Sequence, residues 1–166
     1  MHQHPAMPSF YSYRTPFGSV TLRADDAGIT HLVFGNATFD GNFHPSDLTN
    51  RAANELLEFL AGKRQWFDVP VNPAGSAFQR AVWNEISLIP YGETQTNAQV
   101  ASSLGKPDSY RVVGSAVRRN PVPVFIPGHR VVGIDGHPLG TGAEAKRAEW
   151  LLGIERQNTD SRDVLA

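Results

Sequence analysis

The sequence has no cysteine at any of its 166 positions. Disulfide bonds, thiolate ligands for a metal ion and thiol nucleophiles are therefore excluded. It also has no apolar run near the roughly 20 residues that a membrane-spanning helix needs, and its start, MHQHPAMPSF, lacks the basic end and apolar core of a signal peptide. These absences predict a soluble, cytoplasmic protein that does not contact a membrane.

Neither sign of charge dominates, since 15 Lys and Arg residues are matched by 16 Asp and Glu residues. The distribution is uneven, however, because residues 105–130 carry five basic side chains against one acidic side chain. Such a local excess favours a surface that faces phosphate groups, and a solvated helix face is the alternative. The apolar fraction of 40% supports a core for one ordinary domain or two small ones.

The histidines do not form a pattern typical of a metal site. Five of them lack a spacing that would bring their rings together: His2, His4, His31, His44 and His137. The sequence therefore predicts neither a metal ion nor another cofactor.

The first part of the chain has the pattern of short strands followed by a helix. Alternating apolar residues separated by turn residues predict three strands, at 10–15, 19–25 and 28–34. A helix within 50–63 stops at Gly62, and its apolar face is formed by Ala53, Leu56, Leu57 and Leu60. Residues 67–71 are predicted to add a last strand, and residues 72–76 are the best candidate for a linker.

The second part of the chain is mostly helical. Its first helix has apolar residues at helical spacing, at Phe78, Val82 and Ile86. A short helix over 97–104 and a second helix that begins near Ser109, with Asp108 or Ser109 as its cap, form a helix-turn-helix unit. The basic excess falls on the second of these helices, which favours DNA binding, although such pairs also serve as plain packing units. Residues 143–155 form a closing helix.

Four segments of this second part share the motifs of one protein family, in the same order and at matching separations. They read FQRAVWNEISLIPYGET, RVVGSAVRRNPVP, IPGHRVVG and EWLLGIE. From Phe78 to Glu155 the chain therefore resembles the C-terminal domain of the O6-alkylguanine-DNA alkyltransferases (methylated-DNA–protein cysteine methyltransferases). The part before Asn72 is similar to that family's N-terminal domain in length and pattern. The most specific motif is NPVPVFIPGHRV.

The resemblance implies a repair reaction whose nucleophile is absent here. In the family, an O6-alkylated guanine is flipped out of the duplex into a pocket, and a cysteine thiolate attacks its alkyl carbon. A histidine draws the thiol proton through a water molecule, and a glutamate orients the histidine. The matching residues are His129 and Glu155, whereas the nucleophile position is Gly128. Because glycine has no side chain to alkylate, we expect alkyl transfer to be absent and the two partners to remain as a hydrogen-bonded pair.

The resemblance also assigns DNA contacts to the second helix of the helix-turn-helix and its surroundings. Arg111 matches the arginine that replaces the flipped base in the stack, a role that suits a planar guanidinium. Asn120 matches the asparagine that ties the helix-turn-helix to the active-site segment, and Gly114 matches a small residue near the minor groove. The other expected DNA-binding residues are Ser109, Tyr110, Arg118 and Arg119, the last two with a solvated surface role as the alternative. The expected substrate pocket is formed by Asn97, Pro123, Val131 and Thr141.

Several residues depart from the family's pattern around that pocket. Asn97 and Thr141 each stand where the family has a tyrosine, and Tyr110 is bulkier than the usual residue. Ala143 and Glu144 replace paired glycines, and the second of these places a negative charge on a loop near the expected DNA surface. Several changes around one pocket favour a natural homologue that no longer transfers alkyl groups over an engineered loss of cysteine.

Taken together, these patterns predict an α/β fold of the α+β kind. The expected domains are a strand-rich N-terminal domain, a helical, winged-helix-like DNA-binding domain that contains the helix-turn-helix, and a tail, at 1–73, 74–158 and 159–166. We expect a non-catalytic monomer that binds duplex DNA, including alkylated DNA, and that works with other repair proteins. Three alternatives remain open: a methyltransferase whose cysteine was replaced by Gly128, a hydrolase driven by His129 and Glu155, and a protein-interaction module without DNA binding.

Overall fold

The computed structural model describes residues 7–165, with side chains described through residue 159, so His2 and His4 lie outside the described residues. The chain divides into two compact units, Met1–Ala74 and Gly75–Ala166. The first described unit is built around a sheet and the second around helices, which confirms the predicted α+β fold class. Within the described residues, no helix is long and apolar enough to cross a membrane.

The first unit consists of a four-stranded sheet and one helix. Its strands are β1 (Ser9–Thr15), β2 (Gly18–Ala24), β3 (Ile29–Phe34) and β4 (Asn42–Phe43), and its helix is α1 (Asp47–Leu60). The strand order is β3-β2-β1-β4, with antiparallel pairing from β1 to β3 and parallel pairing of β1 with β4. The three predicted strands are therefore present. The two-residue strand β4 was not predicted, because it has no alternating apolar pattern.

Helix α1 begins three residues before the predicted segment because Ser46 supplies its cap. The Ser46 hydroxyl accepts a hydrogen bond from the Thr49 amide, and the Thr49 hydroxyl accepts one from the Ser46 amide. The predicted apolar face was wrong at Leu57, whose side chain is 40% exposed, whereas Phe59 is fully buried. The buried face consists of Leu56 and the residues three and four positions away from it on either side: Ala52, Ala53, Phe59 and Leu60. Leu57 directly follows Leu56 and therefore points to the edge of that face.

Residues 67–71, predicted as a last strand, form only an isolated pairing of Val71 with Ile29. Two backbone hydrogen bonds form this pairing, from the Ile29 amide to the Pro70 carbonyl at 2.9 Å and from the Asn72 amide to the Ile29 carbonyl at 2.7 Å. The buried carboxylate of Glu55 also accepts hydrogen bonds from the Asp68 amide at 2.8 Å and the Val69 amide at 3.1 Å. The segment is thus held by both β3 and α1, without forming a full strand.

The second unit is helical, with one two-stranded parallel sheet. Its helices are α2 (Ala77–Ile86), α3 (Asn97–Ser103), α4 (Tyr110–Arg118) and α5 (Gly142–Leu165), and its strands are β5 (Gln95–Thr96) and β6 (Val131–Val132). The segment 159–166, which the sequence sets apart as a tail, continues α5 through Leu165. The β5–β6 pairing joins the start of α3 to the end of the NPVPVFIPGHRV motif.

Helices α3 and α4 form the expected helix-turn-helix. A capping box of Thr96 and Gln99 starts α3, and a 3-10 helix, Pro107–Ser109, leads into α4. Ser109 occupies the N-cap position of α4, one of the two positions predicted for it, but its side chain makes no capping hydrogen bond. The reason is that Ser109 has φ −91° and ψ 19°, whereas a capping side chain needs an extended backbone to reach the helix amides.

Candidate functional site

The motif after α4 forms a compact turn closed by Asn120. The Asn120 side chain accepts a hydrogen bond from the Val122 amide at 2.9 Å and donates one to the Ile126 carbonyl at 2.8 Å. Inside the turn, the buried Val124 has φ 75°, a conformation that a β-branched residue adopts only when its surroundings hold it there. The turn delivers Gly128 to the start of a short 3-10 helix, Gly128–Arg130.

The backbone does not require glycine at Gly128. Its φ lies outside the left-handed region, and a Cβ added there would lie 3.4 Å from Asn120 Nδ2 and 3.6 Å from Val117 Cγ1. These are ordinary van der Waals separations. The backbone and its surroundings at this position therefore leave room for a Cβ.

His129, Arg130 and Glu155 meet in a buried cluster directly beside Gly128. Glu155 is fully buried, and its Oε2 lies 2.5 Å from His129 Nε2. The Arg130 Nε donates to both carboxylate oxygens, at 3.0 and 3.1 Å, while its Nη1 donates to the Ile89 carbonyl at 2.8 Å. The Gly92 amide donates to Glu155 Oε1 at 2.8 Å. This cluster joins α5 to the 3-10 helix and to the loop after α2, which contains Ile89 and Gly92.

Burial and hydrogen bonding set the charges in this cluster. Burial lowers the pKa of His129, and although Glu155 acts to raise it, the pKa stays below its usual value, so the imidazole is neutral at pH 7. Burial acts to raise the pKa of Glu155, but the hydrogen bonds and charges of His129 and Arg130 outweigh it, and the pKa lies below its usual value. Arg130 therefore neutralises a buried carboxylate while His129 remains uncharged.

A cleft of about 620 Å³ lies along the exposed face of α4. It is lined by Arg111, Gly114, Ser115, Arg118, Arg119, Leu139, Gly140 and Glu144. Four of the residues that the resemblance assigns to DNA binding are thus brought together on one surface. At the start of the same helix, the Arg111 guanidinium carbon lies 5.7 Å from the centre of the Tyr110 ring, within range of a cation–π contact.

Asn97 and Gly114 connect the two helices of the helix-turn-helix. Asn97 Nδ2 donates to the Tyr110 carbonyl at 3.0 Å, so the first residue of α3 is bonded to the first residue of α4. A Cβ added at Gly114 would lie 3.7 Å from Asn97 Nδ2 and 3.9 Å from Leu139 Cδ1. The small residue keeps this part of the cleft open.

None of the four residues predicted to form the substrate pocket lines this cleft. Its lining does not include Asn97, Pro123, Val131 or Thr141. Val131 is fully buried in the β5–β6 pair opposite Gln95, whereas Thr141 is exposed in the loop before α5. Ser109 lies in the 3-10 helix before α4 and is half-buried.

Sequence reasoning missed the role of Arg130, which it counted with the basic residues of a phosphate-facing segment. The structure leaves only 7% of Arg130 exposed and bonds it to Glu155. The signal was available, because an arginine inside the apolar run VFIPGHRVV needs a buried partner. By contrast, no periodic pattern indicated Leu139 and Gly140 as part of the cleft.

Over the part of the chain that the structure describes, no three His, Asp or Glu side chains converge in a way that could hold a metal ion. His31 contacts Thr30 through Nδ1 at 3.0 Å, and His44 contacts the Pro45 carbonyl at 2.7 Å. Both histidines therefore take part in local contacts within the first unit.

Most of the second unit matches the model of one protein family. Residues 77–157 match the family model for the 6-O-methylguanine DNA methyltransferase, DNA binding domain. This range contains α4, the Asn120 turn and the His129–Arg130–Glu155 cluster.

Whole-chain relatives and solved structures agree with that match. The methylated-DNA–protein-cysteine methyltransferase of Methanosarcina barkeri is 37% identical, over 87% of this chain and 94% of the relative. The inducible methylated-DNA–protein-cysteine methyltransferase of Bacillus subtilis is 35% identical, over 94% of this chain and 89% of the relative. The crystal structure of the Mycobacterium tuberculosis O6-methylguanine methyltransferase aligns with a TM-score of 0.83 at 30% identity, covering 92% of this chain and 94% of that chain. The structure of that organism's OGT in complex with DNA aligns with a TM-score of 0.82 at 30% identity, covering 90% and 94%.

Proposed function

This chain belongs to the 6-O-methylguanine DNA methyltransferase family of DNA-repair proteins, and we propose that it is a non-catalytic member that binds duplex DNA and recognises O6-alkylguanine. In this proposal it works as a cytoplasmic monomer that holds the damaged base for other repair proteins. Its output is a bound lesion rather than a transferred alkyl group.

The observation that carries the proposal is Gly128, which stands without a nucleophile beside a complete supporting cluster. His129 and Arg130 each hydrogen-bond to Glu155, and the Asn120 side chain donates to the Ile126 carbonyl in the turn before Gly128. Alkyl transfer needs a thiolate to form a bond to the alkyl carbon as the guanine O6 leaves, and the chain has no cysteine. We infer that the site around Gly128 binds DNA without transferring the alkyl group.

The exposed face of α4 supports the DNA-binding half of the proposal. Arg111, Arg118 and Arg119 line one cleft, and three guanidinium groups on one surface suit contacts with phosphates. Arg111 is exposed near the start of α4, and its guanidinium lies over the Tyr110 ring within range of a cation–π contact. We propose that Arg111 enters the base stack when the damaged nucleotide is flipped out.

The test is fluorescence anisotropy with two matched duplexes, one unmodified and one with a single O6-methylguanine, at one fixed salt concentration. Salt is fixed because phosphate contacts alone change affinity by orders of magnitude. We expect the lesion duplex to bind at least about 10-fold tighter, equivalent to about 1.4 kcal/mol. Equal affinities for the two duplexes would contradict lesion recognition and leave a general DNA-binding protein.

Arg111→Ala tests the proposed insertion, and Arg51→Ala is the matched control because it removes the same charge from an exposed position of α1. We expect Arg111→Ala to reduce the preference for the lesion duplex, and Arg51→Ala to keep it. If Arg111→Ala left binding to both duplexes unchanged, the insertion of Arg111 would be contradicted.

A second candidate function, alkyl transfer by a form with cysteine at position 128, is favoured by one observation. The separations at Gly128 leave room for a Cβ, with the His129–Glu155 pair directly after it. Restoring a thiol therefore tests whether only the nucleophile is missing.

A further inference from the structure

An ion pair crosses the cleft between the last turn of α4 and the first turn of α5. Arg118 Nη2 lies 3.7 Å from Glu144 Oε2, a separation longer than a hydrogen bond. The two side chains are 53% and 45% exposed. Both residues line the cleft, so the pair lies on the surface proposed to receive DNA.

Gly140 accommodates the carboxylate of this pair. A Cβ added at Gly140 would lie 2.7 Å from Glu144 Cδ and 2.9 and 3.1 Å from its two oxygens. The carboxylate therefore occupies the space that any side chain at Gly140 would take. Gly140 also has φ 96°, a left-handed conformation that favours glycine. The absence of a side chain at Gly140 thus leaves the space in which the Glu144 carboxylate lies, beside Arg118.

The cleft has one acidic side chain among its basic ones. Glu144 faces a surface that also holds Arg111, Arg118 and Arg119. Its carboxylate neutralises part of the Arg118 charge and repels any phosphate that approaches. Because an ion pair between half-exposed side chains is weak, a DNA phosphate can replace the carboxylate as the partner of Arg118.

We propose that Glu144 competes with DNA phosphates for Arg118 and thereby lowers the affinity of the cleft for any duplex. The inference rests on the proposed DNA-binding function and adds the residue that limits its sequence-independent part. Phosphate contacts supply most of the affinity for undamaged DNA. A carboxylate placed among those contacts therefore reduces binding that does not depend on the lesion.

The experiment compares Glu144→Gln with the unchanged protein on the unmodified duplex, at several salt concentrations. Glutamine keeps the size and planar shape of the side chain and removes its charge. We expect Glu144→Gln to bind about two- to tenfold tighter, and the slope of log affinity against log salt to become steeper by up to about one. Glu149→Gln is the matched control, since it makes the same charge change at an exposed position of the same helix.

A double-mutant cycle with Arg118→Gln tests the named partner. If Glu144 acts by competing for Arg118, the gain from Glu144→Gln shrinks when Arg118 is already neutral. Equal behaviour of Glu144→Gln and Glu149→Gln would overturn the inference. So would a gain from Glu144→Gln that is undiminished in the Arg118→Gln background.

The same measurements, repeated with the O6-methylguanine duplex, separate this inference from the proposed function. A lesion preference together with equal behaviour of the two glutamine variants supports the function and overturns the role of Glu144. No lesion preference together with a specific gain from Glu144→Gln supports the competition and overturns lesion recognition. A complete lack of DNA binding by every variant overturns both.

Discussion

At the scale of a single residue, Gly128 separates this chain from an alkyl-transferring protein. The position has an unstrained backbone and room for a Cβ, and the buried His129–Glu155 pair follows it directly. A neutral imidazole next to a thiol can accept the thiol proton, either directly or through a water molecule. The residues around position 128 are therefore compatible with the chemistry that Gly128 itself prevents.

We predict that Gly128→Cys folds and takes up one methyl group from a duplex containing O6-methylguanine. The cysteine thiolate would form a bond to the methyl carbon while the guanine O6 leaves, and the protein would gain the mass of one methylene group. Intact-protein mass spectrometry after incubation with the duplex measures this gain, and Gly128→Ser is the control that fits the same space with a much weaker nucleophile. Absence of the mass gain in a folded, DNA-binding Gly128→Cys protein would mean that the departures at Asn97, Thr141 and Glu144 also prevent the reaction.

Arg130 is the residue on which the buried carboxylate depends. It is the positively charged partner of Glu155, because the pKa of His129 is lowered by burial. Removing one member of a buried ion pair leaves the other charge without compensation.

We predict that Arg130→Met lowers the free energy of unfolding by about 3–5 kcal/mol, since it leaves the Glu155 carboxylate buried without a cation. Urea denaturation, monitored by tryptophan fluorescence to which the buried Trp83 of the same unit contributes, measures this loss. Arg119→Met is the control, because it removes an exposed arginine and is expected to change stability by less than about 0.5 kcal/mol. Similar unfolding midpoints for the two variants would show that the cluster contributes little to stability.

At the scale of an element, the turn between α4 and the 3-10 helix depends on one amide side chain. Asn120 accepts from the Val122 amide and donates to the Ile126 carbonyl, which also accepts a backbone hydrogen bond from the Gly128 amide at 2.8 Å. The turn also contains Val124 in a left-handed conformation, which costs on the order of 1–3 kcal/mol. Contacts elsewhere in the turn must offset that cost.

We predict that Asn120→Ala lowers the free energy of unfolding by about 2 kcal/mol, at about 1 kcal/mol for each hydrogen bond. Asn120→Asp keeps the acceptor for the Val122 amide and loses the donor to the Ile126 carbonyl, so its loss of stability comes from that one hydrogen bond. The measurement is the urea midpoint of each variant, combined with anisotropy on the lesion duplex. Because the turn positions Gly128, we expect both variants to weaken the lesion preference; unchanged stability in Asn120→Ala would contradict the importance of these bonds.

At the scale of the whole molecule, the net charge is close to zero. We therefore expect the free energy of unfolding to depend on pH mainly through buried groups whose pKa is shifted. Burial lowers the pKa of His31 in the first unit and of His129 in the second, and the charge of Arg23 adds to the effect on His31. Both histidines are neutral in the folded protein at pH values where the unfolded chain binds a proton. Unfolding therefore takes up protons below the ordinary histidine pKa of about 6.5.

We predict that the free energy of unfolding is constant above about pH 7 and falls as the pH is lowered below about 6.5. The limiting slope for a fully buried histidine is about 1.4 kcal/mol per pH unit, and the partly exposed His31 contributes less because solvent screens it. Urea denaturation at pH 7.5, 6.5 and 5.5 measures the slope. His31→Gln is expected to keep most of it, and a flat profile between pH 7.5 and 5.5 would contradict a neutral, buried His129.

Local patterns in the sequence were sufficient for much of the fold. The three strands of the first unit follow from alternating apolar residues between turn residues, and α3 and α4 follow from apolar spacing broken by Gly105 and Pro107. The family followed from the NPVPVFIPGHRV motif, which also located Gly128. These features were predictable because a residue's neighbours in sequence determine its backbone preference and its side of a helix or strand.

Apart from the His129–Glu155 pair, which the resemblance led us to expect, the tertiary structure decided which distant charged side chains meet. Arg130 is one of several arginines in a basic segment until the path of α5 brings Glu155 against it, 25 positions away. Glu144 is an isolated acidic residue in the sequence, and the fold brings the first turn of α5, which carries it, beside Arg118 at the end of α4. The sequence by itself determined the family, most of the helices and long strands, and the absence of cysteine. The fold decided the charge partners, because contacts between residues far apart in sequence depend on the whole path of the chain between them.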